Sequence, residues 1–317
     1  MSIERILCPA NFPLEFDGAL VYTASLARVF QAKLFLCHCA PTPALVSFET
    51  NVANHDQVRT QLADSLKRYL GPPEASQLSW EILVVQSGND IGEEIVRTAR
   101  EQRIDLIVMR SRRSPVAALL GSTAEQVSRT ASCPVLVISL REPTRETRAN
   151  GRAVFERVLA SHDFSSSSEL ALSYALSIAQ KYQSELHLLH VLPEPQDEPE
   201  IAWGPMGVES AYHRAARRLR DSVPAEVYKR CTVTHSVRWG KPYREVLAYA
   251  REHNIDLVCM GALGRDFGLE ALFGSNVDRV LRQATCPVLV ARPLKPAVPA
   301  VVNLSIAKPG LRRTVTS

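Results

Sequence analysis

The sequence is short of the features that would send it out of, into or through a membrane. No apolar run approaches the roughly 18 residues that a spanning helix needs, and the opening MSIERILCPANF breaks its apolar stretch at Glu4, Arg5 and Asn11 rather than forming a signal-like segment. The chain is therefore expected to be cytoplasmic, with no membrane partner. Its seven cysteines contain no C-x-x-C pair, so neither a zinc ribbon nor a paired redox motif is written there. Cys8, Cys37, Cys39, Cys259 and Cys286 lie in or beside apolar runs, as buried reduced thiols do. Cys37 and Cys39 share one strand face, but His38 points to the other and no second ligand pair accompanies them, so no metal site is expected. There is no G-x-x-x-x-G-K-[ST] loop, no G-x-S-x-G elbow and no H-E-x-x-H helix, which removes the usual P-loop and hydrolase signatures. No catalytic residue is assigned.

Surplus positive charge is also scarce where it would count. The formal charge is +4, but Arg292, Lys295, Lys308, Arg312 and Arg313 stand in a final segment without an acid, and the rest of the chain has one more acid than base. A protein that tracks phosphate backbones needs clustered Lys and Arg to release counterions. Nucleic acid is thus not an expected partner. The segment 293–317, punctuated by Pro293, Pro296, Pro299 and Pro309, reads as a basic solvated tail.

What the sequence does contain is itself, twice. At 317 residues it has room for two domains of ordinary size. Ile6-Leu7 recurs as Val158-Leu159, Asn11 as Asp163, LFLCHC from Leu34 as LHLLHV from Leu186, and Gly88 as Gly240, all at an offset of 152. The run ending at Met109 recurs at Met260 with offset 151, and CPVLV from Cys133 recurs from Cys286 with offset 153. A fixed offset of this kind marks duplicated units. Domains are expected over 1–140 and 153–292, joined by the polar, aperiodic linker 141–152.

Within each copy, short β-branched runs alternate with segments of helical period, the pattern of βαβ units. In the second copy strands are predicted near Arg157–Ala160, Glu185–Val191, Thr232–Val237, Asp256–Met260 and Val288–Ala291. Ser165 to Ser168 supply N-cap oxygens for a helix ending near Tyr182, and Pro242 suits the first turn of another. The fold class is α/β: two tandem doubly wound parallel five-stranded domains, Rossmann-like in design. Such sheets bind ligands at the carboxyl ends of the strands, where the strand order reverses.

After the fourth strand of the second copy come Gly261-Ala-Leu-Gly264, nine residues, and Gly274-Ser275 opening a helix. Glycines at a strand exit let backbone approach a phosphate, and a helix N-terminus favours an anion. The same residues serve equally as turn and cap chemistry, and the spacing alone leaves both readings open. His38 and His190 are repeat-equivalent and read as structural histidines, while His162 beside Asp163 points to the opposite strand face, against a catalytic dyad.

These residues resemble the universal stress proteins, whose nucleotide signature G-2x-G-9x-G-(S/T) the second copy matches without a gap. Asp163 in SHDFS, His190-Val191 closing the second strand and the CPVLV strand extend the resemblance over nearly the whole chain as two tandem domains. It implies ATP, with Mg²⁺ as companion, bound in the second domain. Asp163 and the Val191 backbone would meet adenine, Gly261 and Gly264 would lie near ribose and phosphates, and Gly274, Ser275 and Asn276 would hold the phosphate chain. Met260, Ser161 and His162 sit beside these positions. The first copy departs from the signature: Asn11 replaces the acid, and Arg110 and Arg113 stand for Gly261 and Gly264, with only seven residues before Gly121-Ser122. That copy is expected to act as a packing partner. The resemblance further implies an intramolecular pseudo-dimer through the last strands and, by extension, a homodimer of chains. The function expected is stress-response sensing through nucleotide binding and protein contacts, with a slow Mg-dependent ATP-hydrolysing switch and a nucleotide-free scaffold as alternatives.

Overall fold

The computed structural model describes residues 2–11, 18–41, 48–70, 78–88, 90–111, 122–138, 147–148, 152–153, 155–194, 207–263 and 273–292. In the first copy the order is β1 (Arg5–Pro9), α1 (Gly18–Phe30), β2 (Lys33–Pro41), α2 (Phe48–Leu70), β3 (Trp80–Ser87), α3 (Ile91–Glu101), β4 (Leu106–Arg110), α4 (Ser122–Thr130) and β5 (Val135–Ile138). Two short strands, β6 (Thr147–Arg148) and β7 (Arg152–Ala153), follow. The second copy continues with β8 (Arg157–Ser161), α5 (Ser166–Tyr182), β9 (Glu185–Leu192), α6 (Gly207–Asp221), β10 (Val233–Trp239), α7 (Pro242–Glu252), β11 (Leu257–Gly261), α8 (Ser275–Gln283) and β12 (Val288–Ala291).

Ten strands form one sheet in the order β10-β9-β8-β11-β12-β5-β4-β1-β2-β3. Each copy thus contributes five parallel strands in the order 3-2-1-4-5, and the order reverses between β1 and β4 and between β8 and β11. The halves meet where β12 pairs antiparallel with β5, Leu289 opposite Leu136. Every residue of both strands is buried, as a sheet covered on both faces requires.

Strand alternation sorts the core into two layers. Ile6, Cys8, Leu34 and Leu36 face one way and pack with α1, α2, α5 and α6, while Leu7, Phe35 and Cys37 face the other and pack with α3, α4, α7 and α8. The helices form where their caps and stripes agree. In α5, Ser165 accepts the Ser168 N–H, and Ala171, Leu172, Ala175, Ile178 and Ala179 make the buried stripe. Gln183 ends the helix in the left-handed region at φ 57°, and its counterpart Gln31 does the same after α1. Pro242 opens α7 as predicted.

The repeat extends to individual hydrogen bonds. Asp105 Oδ2 accepts the N–H groups of Glu4 and Arg5 at 2.9 and 3.0 Å, and Asp256 Oδ2 accepts those of Glu156 and Arg157 at 2.8 Å each. Each carboxylate ties the start of its domain's first strand to the start of the fourth. Across the junction, Arg282 bonds Glu125 at 3.0 Å and Arg129 approaches Asp278 at 3.6 Å, a reciprocal exchange between α4 and α8. Phe155 fills the space between Tyr22 of α1 and Tyr182 of α5, with centroids 5.5 and 5.2 Å away.

Between the two copies, Thr147 of the segment read as an aperiodic linker pairs with Ala153, and Arg148 with Arg152, in a small antiparallel ribbon. Asn150-Gly151 between them is a short-range hairpin signal, overlooked because the flanking residues do not alternate in polarity. Gly264, Arg112, Arg113, Gly121 and the tail 293–317 lie outside the described residues. No helix among those described is long and apolar enough to cross a membrane.

Candidate functional site

The carboxyl ends of β8, β9 and β11 and the start of α8 converge at the second domain's order reversal. Ser161 closes β8, Val191 is the penultimate residue of β9, Met260 and Gly261 close β11, and Gly274 caps α8 ahead of Ser275 and Asn276. The Gly274 N–H donates to the Ala262 carbonyl at 2.9 Å, which fastens the helix start to the strand exit. Gly274, having no side chain, gives α8 no side-chain N-cap. The first-turn N–H groups gain no acceptor from the cap residue's side chain, and the dipole adds positive potential there. Ser275 is exposed and Asn276 half-buried.

Asp163, two residues past β8, folds its turn. Its Oδ1 accepts the Ser165 N–H at 3.0 Å and the Ser165 hydroxyl at 2.6 Å, while Ser168 Oγ takes the Asp163 N–H at 3.3 Å. The carboxylate is thus fixed at the mouth of the site by the N-cap of α5. His162 is buried. The Phe164 N–H donates to His162 Nδ1 at 3.2 Å, which leaves the ring proton on Nε2, and the Glu169 carboxylate lies 3.7 Å from that atom, beyond hydrogen-bond reach. Burial pushes the His162 pKa below its ordinary value, against the weaker opposing pull of Glu169 and Asp163. A neutral ring behind the strand end is a wall, not a proton shuttle.

His190 donates from Nδ1 to the His162 carbonyl at 2.7 Å, and His38 stands in the same relation to the Ala10 carbonyl at 3.1 Å. Both copies therefore clamp the end of the first strand to the second with a histidine, as the structural reading expects. Phe164, unremarked in the sequence, takes φ 64°, a strained conformation for an aromatic residue. Its ring lies 5.0 Å from His162 and 4.5 Å from His190, beneath the Arg218 guanidinium at 4.2 Å. Nothing in the local sequence announces that stack, because Arg218 comes from α6, half a domain away.

Gly261 has a different reason for being glycine than the one expected from phosphate chemistry. A Cβ there would stand 2.6 Å from the Ser167 carbonyl carbon and 2.7 Å from its oxygen. The missing side chain admits the first turn of α5, and Ser167 Oγ then accepts the Leu263 N–H at 3.2 Å. Met260 is buried in the apolar layer with Val277 and Val280.

The first domain gives the independent view of the same place. A cavity of about 320 Å³ opens at its order reversal, lined in part by Pro9, Ala10, Asn11, Cys39, Met109, Arg110, Ser122 and Thr123. Through the repeat offsets, these are the counterparts of Ser161, His162, Asp163, Val191, Met260, Gly261, Ser275 and Asn276. Every predicted position whose counterpart is described thus maps onto the wall of one cavity. The counterparts of Gly264 and Gly274, Arg113 and Gly121, are outside the described residues. Arg110 lines this cavity where the other copy has Gly261.

Two doubly wound units, with a cavity of about 320 Å³ at the switch point of the first, define a tandem α/β protein of the Rossmann-like class. The universal stress protein family model matches residues 2–139 and again 155–292. The chain belongs to the universal stress protein family, with two such domains in tandem. It is 26% identical over 306 residues to a universal stress protein of Mycolicibacterium smegmatis, covering 91% of this chain and 97% of that one. A universal stress protein of Methanocaldococcus jannaschii is 23% identical over 155 residues, 44% of this chain and 96% of its own. Among solved structures, a universal stress protein from Archaeoglobus fulgidus superposes with a TM-score of 0.65 at 21% identity, covering 92% of this chain and 97% of that one.

Proposed function

We propose that the second domain binds an adenine nucleotide, ATP with Mg²⁺, and that its occupancy is read through protein contacts in a stress response. The observation that carries this reading is the Gly274–Ala262 hydrogen bond, which holds the side-chain-free start of α8 at the exit of β11. A polyphosphate placed there meets the N–H groups of Ser275 and Asn276 and the Ser275 hydroxyl. Asp163, pinned by Ser165, stands at the end of β8 to accept from the base, and the Val191 backbone edges the same crevice. Gly264 completes the signature at the strand exit. Mg²⁺ would neutralise phosphate charge and keep most of its water shell, needing few protein ligands.

The two domains act as an intramolecular pseudo-dimer in this account, supported by the antiparallel β5–β12 pair and the reciprocal Arg282–Glu125 and Arg129–Asp278 contacts. The same symmetry allows a homodimer of chains. Equilibrium dialysis against labelled ATP with Mg²⁺ tests the site assignment. Asp163→Asn, which copies the first domain's Asn11, is expected to weaken binding by about tenfold, the loss of one charge-assisted hydrogen bond, while Asn11→Ala leaves it unchanged. Equal binding by wild type and Asp163→Asn would move the nucleotide elsewhere. The same samples, assayed for phosphate release, separate a binding module from a slow hydrolysing switch.

A further inference from the structure

We propose that the first domain's cavity binds a short aliphatic carboxylate, with the charged end held at Arg110 and the chain laid against Cys37, Ile95 and Met109. The cavity of about 320 Å³ has walls of two chemistries. Cys37, Ile95 and Met109 belong to the buried apolar layer between the sheet and the helices α3 and α4, and they supply the apolar wall. Arg110 at the end of β4, Asn11 beyond β1, and Ser122 and Thr123 opening α4 supply the polar one. Ile91, 47% exposed at the start of α3, adds an apolar side chain that solvent also reaches. A pocket with an apolar wall and a few convergent polar groups suits a ligand with an apolar body and a polar end.

The polar wall sets the sign of that end. Among the described residues lining the cavity, Arg110 carries the only charge. Arg110 has an interaction of its own, and a guanidinium, with five N–H donors, can hold a carboxylate besides. Ser122, Thr123 and Ala124 are the first three residues of α4, so the positive end of its dipole lies at the same wall. The volume is near the lower end of the roughly 300–1,000 Å³ of ligand pockets, which keeps the chain short.

The duplication shows how this place differs from its counterpart. Asn11 stands where the second domain has Asp163, and Arg110 where it has Gly261, so the first domain is more positive here by two charges. A carboxylate that Asp163 would repel meets an amide and a guanidinium instead. A nucleotide suits the first-domain cavity poorly, because ribose hydroxyls and phosphates laid against Cys37, Ile95 and Met109 would lose water without gaining strong hydrogen-bond partners. Carboxylate binding in the first domain is separate from the nucleotide reading of the second and does not depend on it.

The test is calorimetric titration of the intact chain with octanoate, compared with acetate, which lacks the chain, and 1-octanol, which lacks the charge. One saturable octanoate site is expected, with acetate and octanol each at least about tenfold weaker. Arg110→Gln should weaken octanoate about tenfold, the loss of a charge-assisted pair, and leave octanol unchanged. Ile91→Ser, at an exposed position that folding tolerates, should weaken octanoate about fivefold through lost apolar contact, so the site is tested even if Arg110→Gln does not fold. ATP with Mg²⁺ should leave octanoate binding unchanged, whether or not ATP itself binds. The proposal is overturned by no octanoate binding, by uptake that never saturates, or by octanol binding as tightly as octanoate. Indifference to Ile91→Ser or to a folded Arg110→Gln variant, or displacement of octanoate by ATP, overturns it as well.

Discussion

Gly261 and Ser167 are in backbone contact: a Cβ on Gly261 would lie 2.6 Å from the Ser167 carbonyl carbon. The end of β11 and the first turn of α5 therefore pack at a distance only glycine permits. Backbone cannot retreat as a flexible side-chain tip can. Gly261→Ala is expected to destabilise the protein by about 1–3 kcal/mol, the usual range for overpacking, read as a lower urea midpoint at unchanged slope. An unchanged midpoint would mean that α5 shifts freely, against the tether of Leu263 to Ser167.

The paired histidine clamps make a symmetric prediction. His190→Ala and His38→Ala each leave a strand-end carbonyl without its donor, at His162 and Ala10. Each is expected to cost about 1–3 kcal/mol, the penalty for stranding a polar group, with the larger loss at the more buried His190. Chemical denaturation of the two variants checks both the size and the order. Neutral behaviour in both would make the clamps incidental.

Burial depresses the pKa of His162, His187 and His235. The unfolded chain binds these protons near the ordinary value of 6.5 while the folded chain still refuses them. Stability from these groups is fully present above pH 6.5 and is lost as pH falls from there through the folded pKa values. Urea midpoints should therefore fall between pH 7.5 and pH 5.5, and His187→Phe should flatten part of that slope. A midpoint that rises on acidification over this window would reverse the sign and reject the account.

At the junction of the domains, Arg282 reaches Glu125 and Asp278, and Arg129 reaches Glu125 and Asp278. These side chains are 19–38% exposed, so solvent screens them. A double-mutant cycle on Arg282 and Glu125 is expected to give a coupling of about 0.2–1 kcal/mol that shrinks in 0.5 M salt. A coupling several times larger would show that the ions, and not the buried β5–β12 strands, hold the halves together.

Much of this architecture was legible because the sequence states it twice. Each second-copy strand lies within two residues of its predicted bounds, Ser165 caps α5, and Gly274-Ser275 opens α8. The candidate site was legible as a set of positions on strand ends. The reasons behind them were not. Gly261 answers to Ser167, nearly a hundred residues earlier, and the Phe164 stack depends on Arg218. Asp105 and Asp256 appear in the repeated IDL runs, yet their partners are backbone N–H groups about a hundred residues away. Local pattern carries no information about such contacts. The small β6–β7 ribbon was missed for the opposite reason, a turn signal without alternating flanks.

The most direct test of the nucleotide site is calorimetric titration of ATP with Mg²⁺ into the intact chain and into Gly264→Arg, which copies the first domain's Arg113 and keeps Gly261 as it is. One site per chain, lost in the variant, is the predicted result. Two sites, or binding that survives Gly264→Arg undiminished, would contradict it by placing nucleotide in the first-domain cavity or outside the signature altogether.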